Sequence, residues 1–175
     1  FGGLSCFEID RSGEVSINPI PISADTLEDL ESNLLLFFTG KQRSASSILE
    51  DQEKRSLKSE SEIFENLHKT KELGKISYQL LKDSKLKQYA LLMHEHWLNK
   101  RKRSSGMSNQ FLDKVYDTAI ANGALGGKLV GAGGGGFFMF YSENKKVLRE
   151  EMKKYNLKEM KFRFDFNGVQ PLMNQ

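Results

Sequence analysis

Hydrophobic and polar positions alternate in two short runs at the start of the chain, Leu4 to Ile9 and Glu14 to Ile20, separated by the turn-forming Asp10-Arg-Ser-Gly13. That pattern predicts a β-hairpin, with Pro19 and Pro21 ending the pairing. A short helix over Leu27 to Ser32 follows, capped by Asp25 or Thr26 and carrying Glu28, Asp29 and Glu31 near its positive end. Leu34-Leu-Leu-Phe-Phe38 is uninterruptedly apolar between Asn33 and Gly40, which predicts a strand buried on both faces. From Ser44 to about Asp83 the apolar positions recur at helical spacing, but their phase drifts near Gly74. Two or three helices are expected there. Leu86, Tyr89, Ala90, Met93, His94 and Trp97 share one face of the clearest amphipathic helix, Ser84 to about Lys100. Phe111, Leu112, Val115 and Ala119 mark the next helix, with Ser108 as its N-cap and Asn122-Gly123 as its stop.

Two strand-like runs then flank Gly131-Ala-Gly-Gly-Gly-Gly136, followed by a polar helix from about Glu143 to Tyr155 and an alternating strand from Met160 to Phe166. In that last strand Phe162, Phe164 and Phe166 fall on one face and Lys161, Arg163 and Asp165 on the other. The elements add up to an α+β fold, an antiparallel sheet covered by helices.

The glycine loop is the first candidate for chemistry. Consecutive glycines cost backbone entropy unless something must approach the main chain closely. Gly131, Gly133 and Gly136 spell G-x-G-x-x-G, but a dinucleotide fingerprint opens a helix, and the aromatic run Phe137 to Tyr141 that follows reads as a strand. The Walker pattern fails as well, because Lys128 precedes the loop and no Ser or Thr follows it directly. A structural glycine hairpin or bulge accounts for the same residues without any ligand, and both readings stand at this point.

Composition narrows the classes. With 175 residues, 38% of them hydrophobic, the chain can bury a core as one domain. A net charge of +3 gives no electrostatic case for nucleic-acid binding. The dense basic cluster Lys100-Arg-Lys-Arg103 reads either as an anion site or as a solvated helix end. A single cysteine, Cys6, excludes an intrachain disulfide, fits a reducing compartment and suits a small core position. No apolar run is long enough to span a bilayer, so no membrane partner and a cytoplasmic location are expected. His94-Glu-His96 lacks the spacing of H-E-x-x-H, and no metal site is expected. His94 lies on an apolar helix face, where a core histidine and a ligand are both open readings.

Several segments together resemble the C-terminal half of the GHMP kinases. Lys128-Leu-Val-Gly-Ala-Gly-Gly-Gly-Gly-Phe137 is similar to that superfamily's third motif. Leu36-Phe-Phe-Thr-Gly-Lys-Gln-Arg-Ser-Ala-Ser-Ser-Ile-Leu49, Met93-His-Glu-His-Trp97 and Ser105-Gly-Met-Ser-Asn109 resemble the heptose 7-phosphate kinases within it, in the same order and spacing. The resemblance implies a ferredoxin-like α+β fold over residues 1–175. It also implies ATP and Mg2+ as cofactors, and a small-molecule sugar phosphate as the partner. Phosphoryl transfer would be to the anomeric hydroxyl. The superfamily's Pro-x-x-x-Gly-Leu-Gly-Ser-Ser type loop and its catalytic aspartate have no counterpart here. The resemblance sets that aspartate just upstream of Phe1, in the segment leading into Phe1-Gly-Gly3. No general base is therefore assigned within the chain, and the isolated chain is expected to be inactive.

What the resemblance assigns to this half is support of a phosphate loop by Gly131, Ala132, Gly133, Gly134, Gly135 and Gly136, and a sugar pocket of Thr39, Lys41, Arg43, His94, Ser105 and Asn109. Arg43 is preferred over Lys41 for a substrate phosphate, because a planar guanidinium suits it better. A truncated kinase would expose an apolar face, and a homodimer is compatible with that. A fucose or galactose kinase of the same superfamily, and a non-catalytic regulatory module with this fold, are the alternatives.

Overall fold

The structure, a computed structural model, describes residues 1–40, 45–57 and 61–170. The hairpin forms as the alternation predicts: β1 (Ser5–Ile9) and β2 (Val15–Pro19) pair antiparallel, with Ser5 opposite Pro19 and Ile9 opposite Val15. Its turn is held by the Asp10 carboxylate, which accepts from Ser12 N–H at 2.7 Å and Glu14 N–H at 2.9 Å.

α1 (Ala24–Asn33) starts earlier than expected, because Ser23 rather than Asp25 or Thr26 is the N-cap; its hydroxyl accepts from Thr26 N–H at 3.2 Å. Thr26 is thereby buried, and its own hydroxyl donates to Ser84 at 2.9 Å. β3 (Leu34–Phe38) follows directly. α2 (Ala45–Leu57) and α3 (Ser61–Lys82) account for the long helical region, and α3 runs through Gly74 without a break. α4 (Leu86–Arg101) begins after Ser84, whose φ of 58° turns the chain back. α5 (Gln110–Ala121) is capped by Asn109, not Ser108: the Asn109 side chain accepts from Leu112 N–H at 3.1 Å. Ser108 instead donates to Asp113 at 2.7 Å.

β4 (Gly126–Val130) and β5 (Phe137–Tyr141) form the strand pair around the glycine loop, then come α6 (Lys145–Lys153) and β6 (Lys158–Met160). The sheet order β4-β5-β3-β6 is antiparallel throughout and has the β-α-β-β-α-β connectivity of a ferredoxin-like fold, with α2 to α5 filling the first crossover. The final strand is shorter than its alternation predicts. Beyond Met160 the chain stays extended but leaves β3, because Glu31 accepts from Phe164 N–H at 2.9 Å and the Asp165 carbonyl accepts from Gly3 N–H at 2.6 Å. Phe162 and Phe164 are half-buried there and Phe166 is exposed.

Period-2 alternation sorts the sheet's side chains into two cores. Leu35, Phe37, Leu129, Phe138 and Phe140 face α5 and α6, meeting Val115, Tyr116, Leu148 and Met152. Leu34 and Tyr141 face the other way, toward Leu30 of α1 and Leu86, Ala90 and Met93 of α4. α4 lies against the β4 edge and serves both, since its Trp97 belongs to the first core. Contact is close enough that a Cβ on Gly126 would sit 1.8 Å from the Ala90 carbonyl oxygen, so only glycine admits the helix. α3 is keyed to α4 by two buried amides. Asn66 Nδ2 donates to the Asn99 backbone carbonyl at 2.6 Å, and Asn99 Nδ2 donates to the Asn66 carbonyl at 3.0 Å. A lone buried amide loses these bonds without regaining water. Asn66→Ala and Asn99→Ala are each expected to lower stability by about 1–3 kcal/mol, and the double variant by less than their sum, as measured by urea denaturation.

Candidate active site at the glycine loop

Four of the loop's glycines, Gly131, Gly133, Gly134 and Gly136, have φ between 72° and 124°. The loop is braced at its start, middle and end. At its start the Lys100 ammonium reaches across from the last turn of α4 and donates to the carbonyls of Leu129 (3.2 Å) and Gly131 (2.5 Å). In the middle, Met107 is fully buried beneath the loop, and its carbonyl accepts from Gly134 N–H at 2.9 Å. A Cβ on Gly133 would lie 2.6 Å from the Met107 sulfur. At the end, Thr39 donates to the Gly136 carbonyl both from its N–H, at 2.9 Å, and from its hydroxyl, at 3.0 Å. Three segments distant in sequence thus meet here: the end of β3, the 104–109 connection and the loop itself.

The 104–109 connection is ordered by its own polar groups. The buried Ser104 hydroxyl accepts from Gly106 N–H at 3.2 Å, and the Ser104 carbonyl from Met107 N–H at 3.1 Å. Ser108 and Arg101 converge on one oxygen of Asp113, at 2.7 and 2.8 Å. This fixes Met107 in the position that the loop's conformation requires.

The remaining sequence-predicted residues divide. Thr39 and the loop residues are brought together. Asn109 is occupied as the cap of α5, and Ser105 is exposed. His94 stacks on Tyr116 with ring centroids 5.7 Å apart. The Tyr116 hydroxyl donates to the Gly127 carbonyl at 3.1 Å, so its oxygen accepts from His94 Nδ1 at 2.8 Å. Burial pushes the Tyr116 phenol up, keeping it a donor. His94 therefore braces α4 and α5 against β4. Lys41 and Arg43 lie outside the described residues. Cys6 is half-buried on the wall of a cavity, not in either core.

The first residues lie along the 165–166 segment: Gly3 N–H donates to the Asp165 carbonyl at 2.6 Å, a Cβ on Gly2 would strike the Phe166 backbone at 2.4 Å, and the Phe1 ring meets Phe7 of the hairpin edge-on at 6.1 Å.

By sequence alone Arg103 is open, as part of an anion site or a solvated helix end, and the neighbouring His96 and Lys128 have no place in the sugar pocket. His96 on α4 and Lys128 on β4 line a cavity of about 320 Å³ between the hairpin, α3 and α4. Burial, then the charges of Lys128, Arg103 and Lys100, depress the His96 imidazole to about 4, leaving it neutral at physiological pH. Burial and the neighbouring Lys128 and Arg103 charges lower Lys100 to about 8. Burial also lowers Lys128 and Arg103. The available signal was spacing: His96, Lys100 and Arg103 recur every three or four residues, which places them on one side of a helix and its continuation.

The α+β domain, with its ferredoxin-like sheet and a glycine loop braced between antiparallel strands, can be set beside known proteins. Residues 63–157 match the family model described as GHMP kinases C terminal, and the chain belongs to the GHMP kinase family through this C-terminal domain. It is 32% identical over 157 residues to the D-glycero-alpha-D-manno-heptose 7-phosphate kinase of Campylobacter jejuni, an alignment covering 90% of this chain and 44% of that protein. It is 28% identical over 144 residues to the bifunctional fucokinase/GDP-fucose pyrophosphorylase of Arabidopsis thaliana, covering 81% of this chain and 14% of that protein. Among solved structures, a D-glycero-D-manno-heptose 1-phosphate kinase from Bacteriodes thetaiotaomicron matches its fold with a TM-score of 0.67 at 24% identity, covering 95% of this chain and 44% of the other. The chain thus spans less than half the length of these relatives. Among the described residues no helix is long and apolar enough to cross a membrane.

Two outcomes test this geometry. Gly133→Ala meets both a φ of 124° and the Met107 sulfur, whereas Gly131→Ala meets open space at a φ of 92°. Calorimetric melting is expected to show a loss above about 1 kcal/mol for the first and a smaller one for the second. NMR titration of the His96 ring is expected to give a midpoint near 4, and Lys128→Met to move it upward by removing a repelling cation.

Proposed function

We propose that this chain is the C-terminal part of an ATP-dependent sugar kinase that phosphorylates the anomeric hydroxyl of a heptose 7-phosphate. The observation that carries the reading is the 32% identity with a heptose 7-phosphate kinase across 90% of the chain. The interlock of the Ser105-Gly-Met-Ser-Asn109 segment with the glycine loop supports it, since these are two of the segments that resemble that subfamily.

In this reading the acceptor oxygen attacks the γ-phosphorus of ATP, the bond from that phosphorus to the bridging oxygen breaks, and ADP leaves. The hydroxyl proton passes to a base in the part of the enzyme that this chain does not supply. Such transfer depends mainly on positioning and charge stabilisation. Gly131 to Gly136 supply a stiff turn against which a phosphate-binding loop can pack. The central Gly134 N–H is already donated to Met107, and the Leu129, Gly131 and Gly136 carbonyls are held by Lys100 and Thr39. The loop's polar groups are thus partly spent on bracing, which suits a supporting turn better than a complete phosphate cradle. ATP and Mg2+ bind mainly through the other half in this proposal. Thr39, Lys41, Arg43, His94, Ser105 and Asn109 remain the proposed contributors to the sugar pocket, with His94 acting through Tyr116.

A fucose kinase is the second reading, favoured by the 28% identity with the plant fucokinase fusion. Assaying the intact protein with ATP and a panel of heptose 7-phosphate, fucose, galactose and mevalonate separates the two. Formation of a heptose bisphosphate at the highest kcat/KM is expected. Preference for fucose would replace the first reading with the second, and turnover by the 175-residue chain alone would refute the division of the site.

A further inference from the structure

The basic residues at the end of α4 and Lys128 on β4 form, with His96, a group that has no carboxylate partner in the cavity among the described residues. Lys128 stands on β4 opposite Met139, on the face of the sheet away from the Phe138 and Phe140 core. It is half-buried, and among the described residues its ammonium has no hydrogen bond or ion pair. His96 projects from α4 into the same cavity, likewise half-buried and without a hydrogen-bond partner among the described residues. Arg103 flanks it from the chain beyond α4, its Nε donating to Asn66 Oδ1 at 2.8 Å and its Nη2 to the Thr70 hydroxyl, and Thr70 lines the cavity too. Lys100 completes the group, already engaged with Leu129 and Gly131.

No described residue lining the cavity is Asp or Glu; its other titratable side chains are Cys6, Tyr78 and Tyr89. Glu8, Asp10 and Glu14 line a neighbouring groove that Lys71 and Lys75 also line, and Glu95, next to His96 in sequence, is paired with Lys69 at 2.8 Å. Partly buried cations that lack a carboxylate repel one another and are poorly solvated, so a bound anion relieves both penalties. Depression of His96 by these same neighbours agrees with such a field. The hydroxyls of Ser5, Thr70 and Ser77 on its wall already donate to backbone carbonyls, which leaves those of Ser5 and Ser77 as acceptors for a polyol, and at about 320 Å³ the cavity lies at the small end of the roughly 300–1,000 Å³ typical of ligand pockets. That size and lining fit a small phosphorylated polyol better than a nucleotide.

We propose that Lys128 and His96, flanked by Arg103, form the site for the phosphate monoester of the acceptor sugar, in place of the Arg43 that the resemblance favours, at the cavity between the hairpin, α3 and α4. Lys128 is the principal ligand, because its ammonium has no other hydrogen bond or ion pair among the described residues. Arg103 is held in place by Asn66 and Thr70. His96 closes the site as a neutral ring whose N–H can donate to the phosphate. This assignment rests on the sugar-kinase reading only for the identity of the polyol; the phosphate site itself does not depend on turnover.

The test uses this chain without ATP, at constant ionic strength, with His96 followed by NMR and unfolding by calorimetry. Inorganic phosphate and glucose 6-phosphate are expected to raise the His96 midpoint by about one unit or more, because a neighbouring opposite charge favours the charged ring. Both should raise Tm, and glucose should do neither. Lys128→Met is expected to weaken phosphate binding at least about tenfold, the loss of one charged hydrogen bond. Its Tm without ligand should not fall, since a poorly solvated cation is removed and its stem kept, which separates a binding defect from misfolding. Absence of any phosphate effect on His96, or unchanged binding by Lys128→Met, overturns the site. An effect of ADP without one of glucose 6-phosphate would overturn it in favour of the nucleotide. A phosphate site that behaves as expected in a protein that does not phosphorylate heptose 7-phosphate would sink the kinase specificity alone.

Discussion

The Met107 side chain occupies the space that a Cβ on Gly133 would need, and its carbonyl takes the N–H of Gly134. The arrangement of the candidate site depends on this contact. It requires glycine where φ is positive, and it ties the loop's conformation to that of the 104–109 connection. The connection is folded by short-range bonds at Ser104 and by the Arg101–Asp113–Ser108 cluster, so a local turn becomes the template for a loop some 30 residues away in sequence. Thr39 and Lys100 then hold the loop's two ends, tying the end of β3 and the end of α4 to the same structure.

Bracing of this kind explains how a glycine-rich segment can be both permissive and rigid. Its backbone adopts conformations that other residues avoid, and its freedom is removed by packing rather than by side chains of its own. Lys100 has a further consequence. A buried ammonium spent on two carbonyls leaves a positive field that no described carboxylate offsets, Arg103 and Lys128 add to it, and burial together with that field keeps His96 neutral. Rigidity at the loop and electropositive character beside it therefore share one side chain.

Much of the fold was legible from the chain. The hairpin, the apolar β3 run, the α4 stripe and the strand pair around the glycines were each carried by periodicity, which local sterics and burial impose directly. Boundaries were less so. Ser23 and Asn109 won the caps because capping is decided by which residue leaves the helical conformation, and several neighbouring hydroxyls and carboxylates offered the same chemistry. The alternating Met160 to Phe166 run kept only its first residue in the sheet, since Glu31 and Asp165 drew the remainder toward α1 and the first residues of the chain.

The sequence by itself determined that glycines would stand between two strands, that hydroxyl-rich and amide-rich segments would precede α5, and that basic residues would cluster at the end of α4. These follow from residue type and spacing alone. Only the tertiary structure decided which of them meet. Helical spacing sets His94 and His96 about 200° apart around α4 but does not say what each one faces. One is spent on Tyr116, while the other faces a cavity with Lys128 from a strand more than 30 residues away. The charge of a neighbour and the volume between elements are properties of distances in space, and those exist only once α4 has been laid against β4.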